Sequence, residues 1–599
     1  MSSATPHNTT PPAPGTRIAA YLITEYLERI GVEVIFGLCG HTVIGMLDAL
    51  EQSKIRFITT RHEQLAAHAA DGYARATGKV GVMLSHLGPG LTNAATGVAN
   101  AALDSVPMVV IAGDIPSYYY GRHAHQEFLM HADADQSQVF RPFCKRVYRV
   151  DRVDDLPRVF ERAFHLAQAG RPGPVLIDVP MDFFSADLAI DAFAKTPTPL
   201  ARPMVDAATI ERIVAALAEA ERPVLYVGGG VMSSRGTADL AALAETLEVP
   251  VAHSLNGKGC LPEGHPLLLG MTGYWGTPIA NEKCKTADLI VAVGTRIAEC
   301  SSSSWYRDFT FSIPPTRLVH IDIDPAEIGR NYPVAIGAVA DLKEALKVLN
   351  RVARKVAPKG VKRDKLVAEM AKNRKSFVAG NAKAMASDGW PMRPERILAD
   401  VRAVLPRDAL ICTDVGWNKN GVGQQFPIYE PGSIFTPGGY ATMGFGAPAA
   451  LGAKIARPDR VVVALIGDGG FGQNPALLAT AFERDVAVVW VIMNNHAFGT
   501  IAGLEAAHYG TTFGTVFEKD GRSWSPDFAA IARAYGIDGV KVASAAEFKP
   551  ALAKAIKSKR PVVLDVYMKN EPVPTAGHWN IMDIYSPGKK VHHVATGGK

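Results

Sequence analysis

Val461–Thr500 reads VVVALIGDGGFGQNPALLATAFERDVAVVWVIMNNHAFGT. Its opening apolar, β-branched run, Val461 to Ile466, has the composition of a strand buried on both faces. The chain then turns at Gly467-Asp468-Gly469-Gly470, continues through a helix-forming segment (Asn474 to Arg484), and enters a second buried strand (Val486 to Met493) that ends in Asn494-Asn495. This is one βαβ unit with a carboxylate at the tip of one strand and two amides at the tip of the next. Parallel neighbours place such tips on one sheet edge, where α/β proteins bind ligands. Asp468, the Asn495 side-chain oxygen and the Ala497 carbonyl are expected to offer three oxygen ligands to one hard cation; Mg²⁺ takes few carboxylates and completes its octahedron with phosphate oxygens and water. The glycines let the backbone approach a diphosphate, and the helix start after the loop favours the same anion.

Gly-Asp-Gly alone is a common turn. Asn494-Asn495, 25 residues after Gly469 and flanked by strands on both sides, makes the pattern far more specific. It resembles the diphosphate–Mg²⁺ motif of thiamine diphosphate (ThDP) enzymes, in which GDG is followed at this spacing by NN.

At 599 residues the chain exceeds one core, and three domains of about 150–200 residues are the natural division. Apolar residues make up 48% and charged residues 20%, which describes a globular protein and excludes a disordered one. The net charge of +5 is small for the length and its signs are interspersed, so nothing points to nucleic acid. No apolar run reaches a membrane span. Residues 1–15 are rich in Pro, Ser and Thr without the apolar core of a signal peptide, and are expected to be a disordered leader. The six cysteines (Cys39, Cys144, Cys260, Cys284, Cys300, Cys412) lack CxxC spacing, which suits reduced thiols in a cytosol and argues against structural zinc.

Strands and helices alternate from Ile18 to Val179, the pattern of a parallel sheet covered on both faces. Arg61-His62-Glu63-Gln64 opens an Ala-rich helix after the strand Ile55 to Thr59. A carboxylate there is ordinarily a first-turn charge set against the helix dipole. The resemblance supplies another role. ThDP forms its carbanion when a carboxyl group protonates N1′ of the aminopyrimidine, and in this family that acid follows a strand in an RHE-type sequence, which Arg61-His62-Glu63 matches. A buried carboxyl with a raised pKa suits such an exchange. The Gly37-Leu38-Cys39-Gly40-His41 turn and Gly88-Pro89-Gly90 also resemble family loops around the pyrimidine and substrate.

Residues 180–205, with Pro197, Pro199 and Pro203, have the composition of a linker. Strand–loop units at Pro223 to Gly230, Ala287 to Gly294 and Leu318 to Asp324 indicate a second doubly wound sheet. The glycine cluster Gly228-Gly229-Gly230 is weak evidence for a dinucleotide; the resemblance allows ADP, FAD or nothing in this domain, or a part in seating a coenzyme A nucleotide. Residues 351–377 are basic and helical, a solvated connection. The third domain begins near Pro394 with the strand and turn Leu410 to Gly416. Met443, in Gly438-Gly439-Tyr440-Ala-Thr-Met443-Gly-Phe-Gly446, is either a core methionine or, by resemblance, the apolar wedge under the cofactor.

The resemblance covers roughly residues 16–570 and is closest to the acetolactate synthase-like group of ThDP enzymes. It implies three doubly wound α/β domains: 16–185 for the pyrimidine, 200–350 in the middle and 390–570 for the diphosphate and Mg²⁺, followed by a tail, 571–599, that is a candidate active-site lid. It implies a catalytic role for Glu63. Gln126 and Glu505, with His125 and Glu127, are candidates for substrate-side proton transfer or orientation, the alternative for each being a structural place beside the site. The cofactor is expected against Gly40, His41, Glu63, Gly416, Gly439, Met443, Gly467, Asp468, Gly469, Gly470, Asn495, Ala497 and Phe498. Asp468, Asn495 and Ala497 are the expected metal ligands. The active unit is expected to be a homodimer or homotetramer in the cytosol, with Glu63 of one chain facing the Asp468/Asn495 site of another.

Two departures bear on substrate. Acetolactate synthases carry an Arg in a GxRFDDR stretch and a Trp soon after NN; here Cys300 and Leu504 stand at those places. An Arg that grips a 2-oxo acid carboxylate has no substitute in a thiol. The aromatic tail (Trp579, Tyr585) and its basic end resemble the closing segments of relatives acting on acyl-CoA. The resulting expectation is a lyase that cleaves a 2-hydroxyacyl-CoA to an aldehyde or ketone plus formyl-CoA, with an acetolactate synthase-like 2-oxo acid decarboxylase/carboligase as the alternative.

Overall fold

In the computed structural model, residues 12–128, 135–195 and 197–578 are described. The stretch quoted above folds as the strand Val462–Gly467, a single helical turn Asp468–Phe471, the helix Leu477–Glu483 and the strand Val488–Asn494. The two strands pair in parallel, from Val462 opposite Val488 to Gly467 opposite Met493. The α-helix starts later than Asn474 because the chain first makes i→i−3 turns, from Leu477 N to Asn474 O, Leu478 N to Pro475 O and Ala479 N to Ala476 O. Both faces of these strands are buried: Val463, Leu465, Val489 and Val491 join one apolar cluster, while Trp490 is wholly buried on the other side with its Nε1 donating to Ala447 O at 3.2 Å.

This pair is the centre of a six-stranded parallel sheet. Its spatial order is Ile434–Phe435, Leu410–Thr413, Val462–Gly467, Val488–Asn494, Val562–Tyr567, Asp538–Val542. The first sheet has Arg56–Thr59, Val34–Gly37, Gly81–Ser85, Met108–Asp114, Pro174–Pro180 and Arg146–Arg149. Numbered along the chain, both sheets follow the order 2-1-3-4-6-5, so the direction of winding reverses between the first and third strands of each. Ligands bind at that reversal, beyond the carboxyl ends of the strands. The sheet between them in sequence runs Leu268–Met271, Val251–His253, Pro223–Val227, Leu289–Val293, Arg317–Asp322, Ile336–Val339. That is the 3-2-1-4-5-6 order of dinucleotide folds. Its glycine cluster, however, is filled from within: a Cβ on Gly228 would lie 2.1 Å from Gly294 O, and one on Gly230 would lie 2.7 Å from Gly294 Cα. Those glycines serve the contact of two loops of the sheet.

The chain divides into two compact units, residues 1–74 with 79–200, and 75–78 with 201–599. Part of the stretch expected as a linker belongs to the first unit's fold. Met181–Phe184 is helical, Asp187–Ala189 pairs antiparallel with Thr16–Ile18, and Phe193 packs 5.2 Å from Tyr26 and 6.2 Å from Phe160. The prolines suggested a linker, but buried Phe183, Phe184, Leu188 and Phe193 give this segment enough apolar surface to dock. No helix among the described residues is long and apolar enough to cross a membrane. The leader lies mostly outside the described residues (1–11), as does the tail from residue 579 onward.

Candidate active site

In the second unit, Gly467 caps the helical turn that begins at Asp468, at the carboxyl end of the third strand. The reversal point places it beside the end of Leu410–Thr413, where Gly416 adopts φ +104°, a conformation suited to glycine, and starts the helix Trp417–Gln425. Asp468 is buried, and its Oδ2 accepts from Ser525 Oγ at 2.9 Å. Ser525 Oγ in turn lies 2.8 Å from His496 Nδ1. Burial pushes the Asp468 carboxyl up to about 6, with the Ser525 hydroxyl pulling the other way.

Asn495 Oδ1 lies 3.0 Å from Asp468 Oδ1 and 3.0 Å from Ala497 O. Three acceptors converge, with no hydrogen between them in this amide orientation. Octahedral Mg²⁺ with bonds of about 2.1 Å sets neighbouring ligand oxygens about 3.0 Å apart, so this donor set fits that ion. The orientation that turns Oδ1 inward is accompanied by a hydrogen bond on the other side, from Asn495 Nδ2 to Asn570 Oδ1 at 3.1 Å. The two amides of the Asn-Asn pair thus face different surroundings. Asn494 is buried, and its Nδ2 donates to Asp565 Oδ1 at 3.0 Å, tying neighbouring strands together. Accordingly, Asn494→Ala is expected to lower stability by about 1–3 kcal/mol by stranding a buried carboxylate oxygen, measured by denaturant unfolding. Asn495→Ala is expected to weaken Mg²⁺ binding with little change in stability. Among the described residues no cluster of three or more His, Cys, Asp or Glu stands as a metal site.

Asp414, just past the neighbouring strand, organises the adjacent loop. Its buried carboxylate accepts from the N–H groups of Val415 (2.8 Å), Gly444 (3.1 Å) and Gly446 (2.9 Å), which fixes the backbone immediately after half-buried Met443. Gly439 lies in the exposed turn ahead of that loop. Gly469 and Gly470 continue the Asp468 turn, and the Phe498 ring packs against Gly469 while its N–H donates to Thr515 O at 2.9 Å. Glu505, on the helix Gly499–Tyr509, accepts from Thr515 Oγ1 at 2.9 Å and is half-buried.

In the first unit Glu63 begins the helix Glu63–Thr77 and is only 5% exposed. Asn93 Nδ2 donates to its Oε2 at 3.0 Å, and its Oε1 would lie 3.3 Å from a Cβ on Gly90. The Gly88-Pro89-Gly90 turn is held from beneath: Gly88 N donates to Gln136 Oε1 at 2.7 Å, while Gln136 Nε2 donates to Asp178 Oδ1 at 2.7 Å. Complete burial pushes the Asp178 carboxyl well up, and the nearby Asp114 adds to this. Gly40 and His41 follow the first strand; burial, together with His86 and His125, lowers the His41 pKa. Gln126 is exposed, with its Oε1 2.9 Å from His86 Nε2, and His125 stacks on His41 at 6.0 Å. Glu127 Oε2 accepts from Ala124 N.

The structure thus brings Asp468, Asn495 and Ala497 together in one unit, and Glu63, Gly40, His41 and Gln126 at one sheet edge of the other. Asn93, Asp414, Ser525 and Asn570 were not legible in the sequence, because single polar residues far apart along the chain carry no spacing signal. Near the end of the described chain, Gln424 Nε2 donates to Pro574 O at 2.8 Å, His578 N donates to Ser303 Oγ at 3.1 Å, and the His578 ring stacks on Phe309 at 4.2 Å. The described start of the tail therefore meets the helix Trp417–Gln425 at Pro574 and, at His578, the middle-domain loop that follows exposed Cys300.

Residues 17–138, 210–349 and 414–566 match, in turn, the N-terminal TPP binding domain, the central domain and the C-terminal TPP binding domain of thiamine pyrophosphate enzymes. The chain is 37% identical over 558 residues to a probable acetolactate synthase large subunit of Methanocaldococcus jannaschii, covering 91% of each chain. It is 36% identical over 564 residues to a probable acetolactate synthase large subunit of Methanococcus aeolicus, again with 91% of each covered. An acetolactate synthase large subunit of Corynebacterium glutamicum is 34% identical over 577 residues, covering 95% of this chain and 90% of its own. With all three domains in order and relatives along almost its whole length, this chain belongs to the thiamine pyrophosphate enzymes.

Proposed function

We propose that the protein is a ThDP- and Mg²⁺-dependent carboligase that decarboxylates a 2-oxo acid and joins the remaining fragment to a second carbonyl compound. The observation that carries this reading is the similarity over 91% of the chain to proteins named acetolactate synthases. It reverses the preference drawn from Cys300, Leu504 and the tail, which favoured an acyl-CoA lyase.

When bound, ThDP supplies the electron sink for making and breaking the carbon–carbon bond. Glu63 holds a proton against N1′ of the aminopyrimidine. Its burial and its Asn93 partner keep the carboxyl in one place, as proton transfer requires. Gly40 and His41 line the pyrimidine side. Asp468, Asn495 and Ala497 hold Mg²⁺ against the diphosphate, and Gly416, Gly439, Gly467, Gly469, Gly470 and Phe498 shape that pocket. Met443, on the loop fixed by Asp414, supports the cofactor rings. Gln126 and Glu505 stand on the substrate side, where the Gln126 amide orients the reacting carbonyl and the Glu505 carboxyl moves its proton. The active unit is a dimer in which Glu63 of one chain completes the Asp468 site of the other.

A second reading has its own support. Exposed Cys300 and half-buried Leu504 leave these two places without the Arg and Trp of acetolactate synthases, and His578, in the described start of the tail, is seated on the loop after Cys300. Both features suit cleavage of a 2-hydroxyacyl-CoA, in which a base takes the hydroxyl proton and the C1–C2 bond breaks to give a carbonyl compound and formyl-CoA. A product assay with ThDP and Mg²⁺, offering pyruvate and 2-hydroxyisobutyryl-CoA in parallel, separates the two. The proposed reading expects acetolactate from pyruvate. Acetone plus formyl-CoA, with pyruvate left unchanged, would overturn it in favour of the lyase.

A further inference from the structure

Between Glu63 and the exposed loop at 121–128 lies a buried imidazole that the chemistry above does not use. His86 is 7% exposed and bonded at both nitrogens: its Nε2 is 2.9 Å from Gln126 Oε1, and its Nδ1 is 2.8 Å from Thr42 Oγ1. An amide oxygen can only accept, so Nε2 carries the proton and, in the neutral ring, Nδ1 accepts from the Thr42 hydroxyl. Thr42 is itself 1% exposed. The line Thr42–His86–Gln126 therefore has a single hydrogen-bond direction, and it leaves the Gln126 amide –NH₂ facing away from the ring.

The surrounding backbone is shaped for this line. A Cβ on Gly40 would lie 2.3 Å from His86 Cγ, and one on Gly113 would lie 2.4 Å from Thr42 Oγ1. A Cβ on Gly88 would lie 2.3 Å from Gln126 O. Gln126 itself sits at φ +63°, a conformation that residues with a Cβ seldom adopt and that clusters where surrounding contacts over-determine a functional position. The His41 ring closes the imidazole from the side, edge to face at 4.7 Å. An exposed side chain on a strained backbone is thus fixed by a buried ring that cannot turn.

We propose that His86 is a positioning residue: through its Nε2–H it sets the orientation in which the Gln126 amide meets the substrate. This rests on the reading of Gln126 as a substrate-side residue. In this proposal His86 acts on substrate only through Gln126, the partner of its Nε2.

The test is a double-mutant cycle on the holoenzyme, using the substrate turned over in the product assay. His86→Phe, which keeps a ring but loses the donor, is expected to lower kcat/KM about tenfold, the effect of one buried hydrogen bond. ThDP affinity and the rate of cofactor C2-proton exchange, read by NMR in D₂O, stay at wild-type values. His86→Gln, whose amide N–H can replace Nε2–H, recovers most of the loss and keeps the test informative if His86→Phe misfolds. In a Gln126→Ala background, both His86 variants have no further effect. If Gln126→Ala alone retains wild-type kcat/KM, the substrate-side reading of Gln126 fails and the proposal falls with it. If Gln126→Ala is impaired while the His86 losses remain additive, or C2-proton exchange slows with them, that reading stands and the proposal is overturned.

Discussion

Glu63→Gln is expected to reduce turnover by about 10²–10⁴-fold, the range for loss of a positioned general acid or base, while leaving ThDP and Mg²⁺ affinity close to wild type. The substitution keeps the shape of the side chain and retains an oxygen to accept from Asn93 Nδ2. It removes only the proton that the carboxyl exchanges. Steady-state kinetics together with cofactor titration measure the two halves of this expectation, and C2-proton exchange should slow by a comparable factor. Unchanged turnover would remove Glu63 from the chemistry and leave it as a first-turn charge on its helix.

The same variant tests assembly. If Glu63 of one chain serves the Asp468 site of another, Glu63→Gln and Asp468→Asn homodimers are both inactive. Mixing and re-equilibrating them gives hybrid dimers with one intact site, and about a quarter of wild-type activity returns if the subunits pair at random. No recovery despite subunit exchange, followed by mass spectrometry of differently tagged chains, would place both residues of each site on one chain.

Asp468→Asn is expected to weaken Mg²⁺ binding by more than about 100-fold, beyond the range typical for losing a partner that only orients a ligand. Ser525→Ala, which removes such a partner, should fall within about 10–100-fold. Calorimetry or the electron paramagnetic resonance of Mn²⁺ as a substitute reads both. A pH arm follows from burial, which pushes the Asp468 carboxyl up to about 6. The cation binds the ionised form, so apparent affinity levels off above pH 6 and falls by about tenfold per pH unit below it. Stability carries the opposite sign. The folded carboxyl titrates above its unfolded value, so chelating the metal makes the protein lose stability as pH rises toward 6, and added Mg²⁺ restores it. An affinity flat from pH 7 to pH 5 would exclude Asp468 as the titrating ligand.

The relation of sequence to structure differs from element to element. The buried strands of the quoted stretch were legible because β-branched runs bounded by glycine and asparagine mark a covered parallel sheet, and the residues proposed as cation ligands were legible because they lie in or next to one βαβ unit. The segment at 181–193 was misjudged, since prolines further along masked four apolar side chains that dock on the first sheet. Asn494 and Asn495 are identical in sequence; only strand pairing turns one into a tie to Asp565 and the other toward Asp468.

Substrate class divides along the same line. Residues such as Cys300 and Leu504 were read by comparison with family patterns, without their neighbours, and they pointed away from what the relatives' names favour. By itself the sequence determined three doubly wound domains, because hydrophobic periodicity is a local property of the chain; the diphosphate motif and the acid role proposed for Glu63 came from the resemblance of short stretches to a family pattern. Only the tertiary structure decided which oxygens converge within 3.0 Å, what holds Glu63 in place, and that His86 stands behind Gln126. Those contacts join residues tens to hundreds of positions apart, and hydrogen-bond direction and steric closure exist only once the sheets have brought them together.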